Sequence, residues 1–186
     1  VLYYVANDLD SARTTFVYGA YPIGLEFQTT TFAFDRDDEL DNVVYKKYHV
    51  INKGNNTVEN MFLSYWHDID LGNANDDRTG SDSTLNLSYV FNENENDVIY
   101  GSPPPAVGYR IVQGPIVSAT PQDSAFYNGS WRKGFRNLSV YSYYPYFSPI
   151  FLPYITPEQG VPAGSMQSYN NMSGLHKDGS LMINPL

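Results

Sequence analysis

The chain contains no cysteine, which removes disulfides and thiolate metal sites from any account of its fold or chemistry. Positive charge is scarce: 11 Lys and Arg stand against 20 Asp and Glu, a formal net charge of -9 at pH 7. Lys46-Lys47 and Arg132-Lys133 are the only adjacent basic pairs. Nucleic acid and anionic membrane surfaces are therefore poor partners. No apolar stretch is long enough to span a bilayer. The chain opens at Val1 without Met or a signal peptide, the form expected of a processed secreted protein or of a fragment. Signatures of catalysis are missing as well. There is no Gly-x-Ser-x-Gly elbow, phosphate loop or dinucleotide fingerprint. His49, His67 and His176 are scattered, and glycoside hydrolysis needs a cleft that the spacing of Glu26, Glu39, Glu59, Glu93, Glu95 and Glu158 does not establish. The expectation is a protein that is not an enzyme.

Helical periodicity is nearly absent too, while strand-like runs bounded by Gly, Pro, Asn and Asp recur. With 186 residues, 42% of them hydrophobic, the chain can bury a core as one domain. The pattern predicts strands at Val1–Ala6, Thr14–Tyr18, Leu25–Phe34, Val43–Asn52, Val58–His67, Thr84–Phe91, Tyr109–Gln113 and Ser139–Tyr144. Lys53-Gly54-Asn55-Asn56 reads as a hairpin turn joining the fourth of these to the fifth. The fold class is all-β, an Ig-like or jelly-roll β-sandwich with long Pro- and aromatic-rich C-terminal loops. Those loops begin with the extended prolines of Ser102–Pro105. They continue through Tyr141–Gly164, where Pro145, Pro149, Pro153, Pro157 and Pro162 exclude a central strand or long helix. Only Gln167–Leu175 reads as a short helical turn. Tyr is plentiful, 17 residues, and suits strands and interfaces where a buried ring keeps its hydroxyl wet.

The connection Tyr65–Asp82 carries Asp68, Asp70, Asp76, Asp77 and Asp82, with Gly72 and Gly80 to fold the backbone back. Five carboxylates converge only around a cation, or else splay into water. Hard oxygen ligands of this kind suit Ca²⁺. An EF-hand is excluded, because the twelfth position counted from Asp68 is Thr79. A calcium site and a solvated acidic turn are both compatible with the residues. Asn92–Asp97 could supply oxygens to a second cation site, but its composition favours a solvated acidic turn. Sequons at Asn55, Asn86, Asn128, Asn137 and Asn171 match what chance gives in an Asn- and Ser-rich chain.

Val1-Leu2-Tyr3-Tyr4-Val5-Ala6 is apolar on both faces of a strand, and Asn7-Asp8-Leu9-Asp10-Ser11 after it reads as a polar hinge. Residues 1–10 are thus taken as strand plus hinge, and residues 11–186 as the sandwich. Such a strand either pairs within its own sheet or adds to a neighbouring molecule, as in donor-strand complementation.

Two groups of motifs bear on the choice. The first is Tyr21-Pro-Ile-Gly-Leu-Glu-Phe-Gln-Thr-Thr-Thr, Asp41-Asn-Val-Val-Tyr-Lys-Lys-Tyr-His-Val-Ile-Asn-Lys-Gly and Tyr65-Trp-His-Asp-Ile-Asp-Leu-Gly. The second is Asp76-Asp77 with Gly80-Ser-Asp82, Pro103-Pro-Pro-Ala-Val-Gly-Tyr, Gln113-Gly-Pro-Ile-Val and Trp131-Arg-Lys-Gly-Phe-Arg-Asn-Leu. From Asn7 onward the chain resembles an uncharacterised extracellular domain family of environmental bacteria, found in secreted proteins of the Bacteroidota. Domains that look like this one form pilus-like fibrils in which an N-terminal strand completes the sheet of another protomer. The resemblance implies an extracellular or cell-surface helical homopolymer, with Val1, Leu2, Tyr3, Tyr4, Val5 and Ala6 as donor; the Tyr65–Asp82 loop adds calcium as its stiffener. The alternative is a carbohydrate-binding or adhesin domain using the rings of Tyr141–Tyr154 for glycans.

Overall fold

The computed structural model describes residues 1–146 and 154–182. Antiparallel strands dominate, which bears out the all-β character. The chain divides into two units. Val1–Phe62, Thr156–Asn170 and Lys177–Gly179 make the first; Leu63–Ile155, Asn171–His176 and Ser180–Leu186 make the second.

In the first unit, β1 (Leu2–Asn7), β2 (Leu25–Ala33) and β3 (Val44–Asn52) form an antiparallel sheet in the order β1-β2-β3. The register sets Leu2 opposite Thr31 and Asn7 opposite Glu26, then Leu25 opposite Asn52 and Ala33 opposite Val44. The β2–β3 pair is thus joined across Asp35–Asn42, where Glu39–Asn42 makes a 3₁₀ turn capped by the Asp38 side chain. The hairpin expected at Lys53–Asn56 does not form, and residues 58–67 make no strand. Instead Lys53 N and Gly54 N both donate to Gly24 O, which returns the chain to the start of β2.

Thr14–Tyr18, expected as a strand, lies in the helix α1 (Ser11–Tyr18). Its β-branched threonines and aromatics carry strand propensity, but the ends decide the matter. Asp10 accepts a hydrogen bond from Arg13 N at 3.2 Å, and Gly19 closes the helix in the left-handed region at φ 71°. A Cβ at Gly19 would lie 2.1 Å from Val161 O, so only glycine fits. The helix α2 (Pro162–Met172) begins on a proline, whose missing N–H costs nothing in the first turn. It extends the short turn expected at Gln167–Leu175 toward the N-terminus. Within the first unit Tyr169 donates from its hydroxyl to Asn60 O and meets Phe62 edge-on, with ring centroids 5.4 Å apart.

In the second unit, β4 (Asp77–Asp82), β5 (Leu87–Asn92) and β6 (Ala106–Arg110) form a second antiparallel sheet. Two ribbons follow: β7 (Ile116–Ser118) pairs with β10 (Phe135–Asn137), and β8 (Ser124–Tyr127) with β9 (Ser130–Lys133). Asn128-Gly129, both at positive φ of 48° and 77°, turns β8 into β9. Ser139–Tyr144 makes no strand, and the prolines of Ser102–Pro105 stand outside the ladders with a cis Ser102–Pro103 bond.

Apolar burial is thin. Among the described residues the buried apolar side chains are Leu25, Leu71, Val90 and Ala125.

Candidate functional site: an unsheltered edge strand and an aspartate knot

β1 is an edge strand, and every one of its residues is exposed. Side chains directly opposite one another share a face. Leu2, Tyr4 and Ala6 therefore lie on the face of Phe27, Thr29, Tyr48 and Val50, whereas Tyr3 and Val5 lie on the face of Gln28, Thr30 and His49. Thr29 is only 1% exposed, yet its neighbours across the sheet, Tyr4 and Tyr48, are both open to solvent. It is flanked by two rings standing up from the adjacent strands.

Where β1 ends, the chain is latched. The Asp8 carboxylate accepts from Ile23 N at 2.7 Å, Leu25 N at 2.8 Å and Gly24 N at 3.2 Å. Thr14 Oγ1 donates to Asp8 O at 3.1 Å, tying the start of α1 to the same point. The segment expected as a polar hinge thus holds the exit of β1 beside the entry of β2. The sequence signal, an Asp facing a Pro-Ile-Gly turn fifteen residues away, has no local period and was missed.

The five aspartates predicted to share a cation do not converge. Asp77 and Asp82 occupy opposite ends of β4, about 17 Å apart for a six-residue strand. Asp82 caps the next turn by accepting from Thr84 Oγ1 at 2.6 Å and Thr84 N at 2.8 Å; these donors, with Leu85 N, hold its carboxyl below the ordinary range. Asp68 and Asp70 are exposed. Burial, partly opposed by the Asp68 charge, lowers the pKa of His67, whose ring stacks on Tyr109 at 4.1 Å.

Asp76 and Asp77 belong to a knot that the sequence reading did not assemble. Asp77 Oδ2 accepts from Leu71 N at 2.9 Å, and Asp77 Oδ1 is buried with no partner among the described residues. Asp76 accepts from Asn94 Nδ2 at 2.7 Å. Asn92 Nδ2 lies 3.4 to 3.5 Å from Leu71 O, Asp76 Oδ1 and Asp97 Oδ2. Asp97, 2% exposed, accepts from Tyr100 N at 2.7 Å, Ile99 N at 2.8 Å and Asn73 N at 3.0 Å. The Tyr100 N–H foremost, with those of Asn73, Ile99 and Val98, holds this carboxyl below the usual carboxylate range against the opposing effect of burial. Asn92–Asp97, expected as a solvated turn, thus places Asn92 and Asp97 inside. Among the described residues no three His, Cys, Asp or Glu side chains come together with metal-binding geometry.

The aromatic C-terminal segment was the candidate glycan platform. Phe147, Pro149, Phe151 and Pro153 lie outside the described residues. Tyr144 is tilted 52° from Tyr146 and 45° from Tyr154, and its hydroxyl meets His176 Nδ1 at 3.0 Å. These half-buried rings pack around His176 and share no plane.

Among the described residues no helix is long and apolar enough to cross a membrane. No family model, curated protein or solved structure matches the chain.

Proposed function

We propose that this chain is a structural subunit of an extracellular, pilus-like fibril, polymerised by exchange of β1 between copies. The observation that carries the reading is that β1, apolar on both faces, lies at a sheet edge with its large side chains about half open to solvent. A strand of this kind gains little by staying where it is. Against β2 of a sister copy it keeps the same register, Leu2 to Thr31 through Asn7 to Glu26, so no backbone bond is lost in the exchange. What it adds is the contact between copies, which covers the rings of Tyr3 and Tyr4 and the β-branched Val5 and completes an Ig-like sandwich around them.

Calcium enters this reading as a stiffener of the second unit. Its seat is the Asp76-Asp77 end of β4, where the described residues include one buried carboxylate oxygen without a partner. Asp68, Asp70 and Asp82 are left out of that seat.

The test is deletion of residues 1–7 followed by addition of a synthetic peptide of the same sequence. The native chain forms filaments under negative stain, the truncated chain does not, and the peptide binds the truncated chain and caps it as a monomer. Filaments from the truncated chain, or no peptide binding to it, would refute strand exchange.

A further inference from the structure

The β8–β9 ribbon of the second unit borders an open groove of about 480 Å³, a size that suits small ligands. Its dominant feature is Trp131, 72% exposed, with Phe126 directly opposite it across the ribbon. Their ring centroids are 5.6 Å apart at 67°. Ile111, Val112 and Leu138 supply the other apolar walls, and no charged residue lines the groove in a chain of net charge -9. An ionic ligand would find no counter-charge here.

The polar side chains are three amides, Asn86, Gln113 and Asn137, with the Ser139 hydroxyl and the Trp131 indole N–H. Asn137 is spent on the fold: its Oδ1 accepts from Phe126 N at 3.1 Å, and its Nδ2 donates to Gly114 O at 2.9 Å and Phe126 O at 3.2 Å. Gln113 Nε2 also donates to Phe126 O, at 2.8 Å. Asn86 Oδ1 accepts from Val140 N at 3.2 Å. Among the described residues these bonds leave Gln113 Oε1 and Asn86 Nδ2 without a partner, together with the Trp131 indole N–H, which makes an acceptor and two donors at the rim of an exposed ring. They also close the groove to an incoming β-strand. Phe126 N and O, the backbone groups that a strand would pair with, are already held by side chains.

An occupant that needs a flat apolar face, uncharged hydroxyl edges and no backbone ladder is a sugar ring. We infer that the groove binds a neutral oligosaccharide, one pyranose lying against the indole of Trp131 and hydrogen-bonding to the free amide atoms of Gln113 and Asn86. This assignment does not rest on the fibril reading, and it places glycan recognition on β8–β9 rather than on the rings of Tyr141–Tyr154.

The experiment uses Trp66→Phe, which leaves Trp131 as the one indole in the chain. It is titrated with the hexasaccharides of cellulose, xylan, mannan and chitin to about 10 mM, a range that covers weak single-site binding. At least one hexasaccharide gives a saturable change in Trp131 emission, and Trp131→Ala in the native background weakens binding of that sugar at least about tenfold by calorimetry. Because Trp131 is mostly exposed, its removal leaves the fold in place. Silence from all four sugars overturns the inference. Equal binding by Trp131→Ala, or an emission change driven by protein concentration alone, overturns it too; the last outcome would assign the groove to contact between copies.

Discussion

Replacing Tyr3 and Val5 by serine strips one face of β1, and replacing Leu2 and Tyr4 strips the other. In the isolated chain these side chains are already about half open: Leu2 61%, Tyr3 58%, Tyr4 45% and Val5 48% exposed. Full burial of such a residue is worth about 1.5–3 kcal/mol, so roughly half of that, about 1 kcal/mol each, has been gained by folding. The other half, again about 1 kcal/mol each, becomes available when a sister copy covers the strand. Each double substitution should thus weaken association by about 2 kcal/mol, roughly 30-fold, and all four together by about a thousandfold. The isolated domain loses a comparable amount of stability, so its circular dichroism spectrum must be checked alongside. Sedimentation velocity over a wide concentration range reads the effect directly. If the fourfold variant associates as the native chain does, β1 is not the assembling element. If the native chain stays monomeric throughout, there is no assembly to explain.

Three further outcomes test the second unit. Gly72 sits at φ 79° with a Cβ position 2.1 Å from Asp97 Oδ1, while Gly101, at φ 75°, faces open space. Gly72→Ala should cost at least about 2 kcal/mol more than Gly101→Ala in urea melts, because the second carries the backbone strain alone; equal costs would mean the knot is loose. Asp97 has its carboxyl depressed in the folded state, so its contribution is fully present above the unfolded carboxylate value near pH ~3.9 and is lost as pH falls below it. Urea midpoints of Asp97→Asn should be lower than native at neutral pH and should converge toward native as pH falls through the carboxylate range; parallel curves would show that the N–H donors to its carboxylate carry no pH dependence. About 1 mM Ca²⁺ should raise the melting temperature of the native chain by a few degrees and leave Asp77→Asn unmoved, whereas an equal shift in both would remove the ion from Asp77.

How far these features were legible depends on how local their signals are. β1, β2 and β3 could be read because Leu25–Ala33 and Val44–Asn52 are long runs of β-branched and aromatic residues with turn chemistry at both ends. Their pairing is misread from sequence, since the Gly54 turn reads as the hairpin and Asp35–Asn42 only as an acidic loop, whereas β2 and β3 pair across the latter. The contest was settled by Gly24 O, which receives both Lys53 N and Gly54 N and so returns the chain toward β2. α1 was missed because Thr14, Thr15, Phe16 and Val17 carry strand propensity, although Asp10 and Gly19 spell out a cap at each end. Asn128-Gly129 was a strong hairpin signal, overlooked because its flanking strands are only four residues long. The aspartate knot was half legible. Asp76 and Asp77 stood out by density, but Asn92 and Asp97 come from the far end of β5 and are recruited by sheet register rather than by spacing.

Four buried apolar side chains among the described residues set little hydrophobic burial against conformational entropy. If the chain assembles as proposed, its stability on dilution depends on surface that other copies cover. Folding and assembly are then linked, and the melting temperature must rise with protein concentration, as it does for any state that self-association stabilises. A hundredfold increase in concentration adds about 2.7 kcal/mol per association event, enough for a shift on the order of 10 °C in a chain of this length. Differential scanning calorimetry at two concentrations that far apart decides it. A melting temperature that does not move would mean that the open faces of β1, β2 and β3 are stable in water alone, and β1 would then be an ordinary first strand.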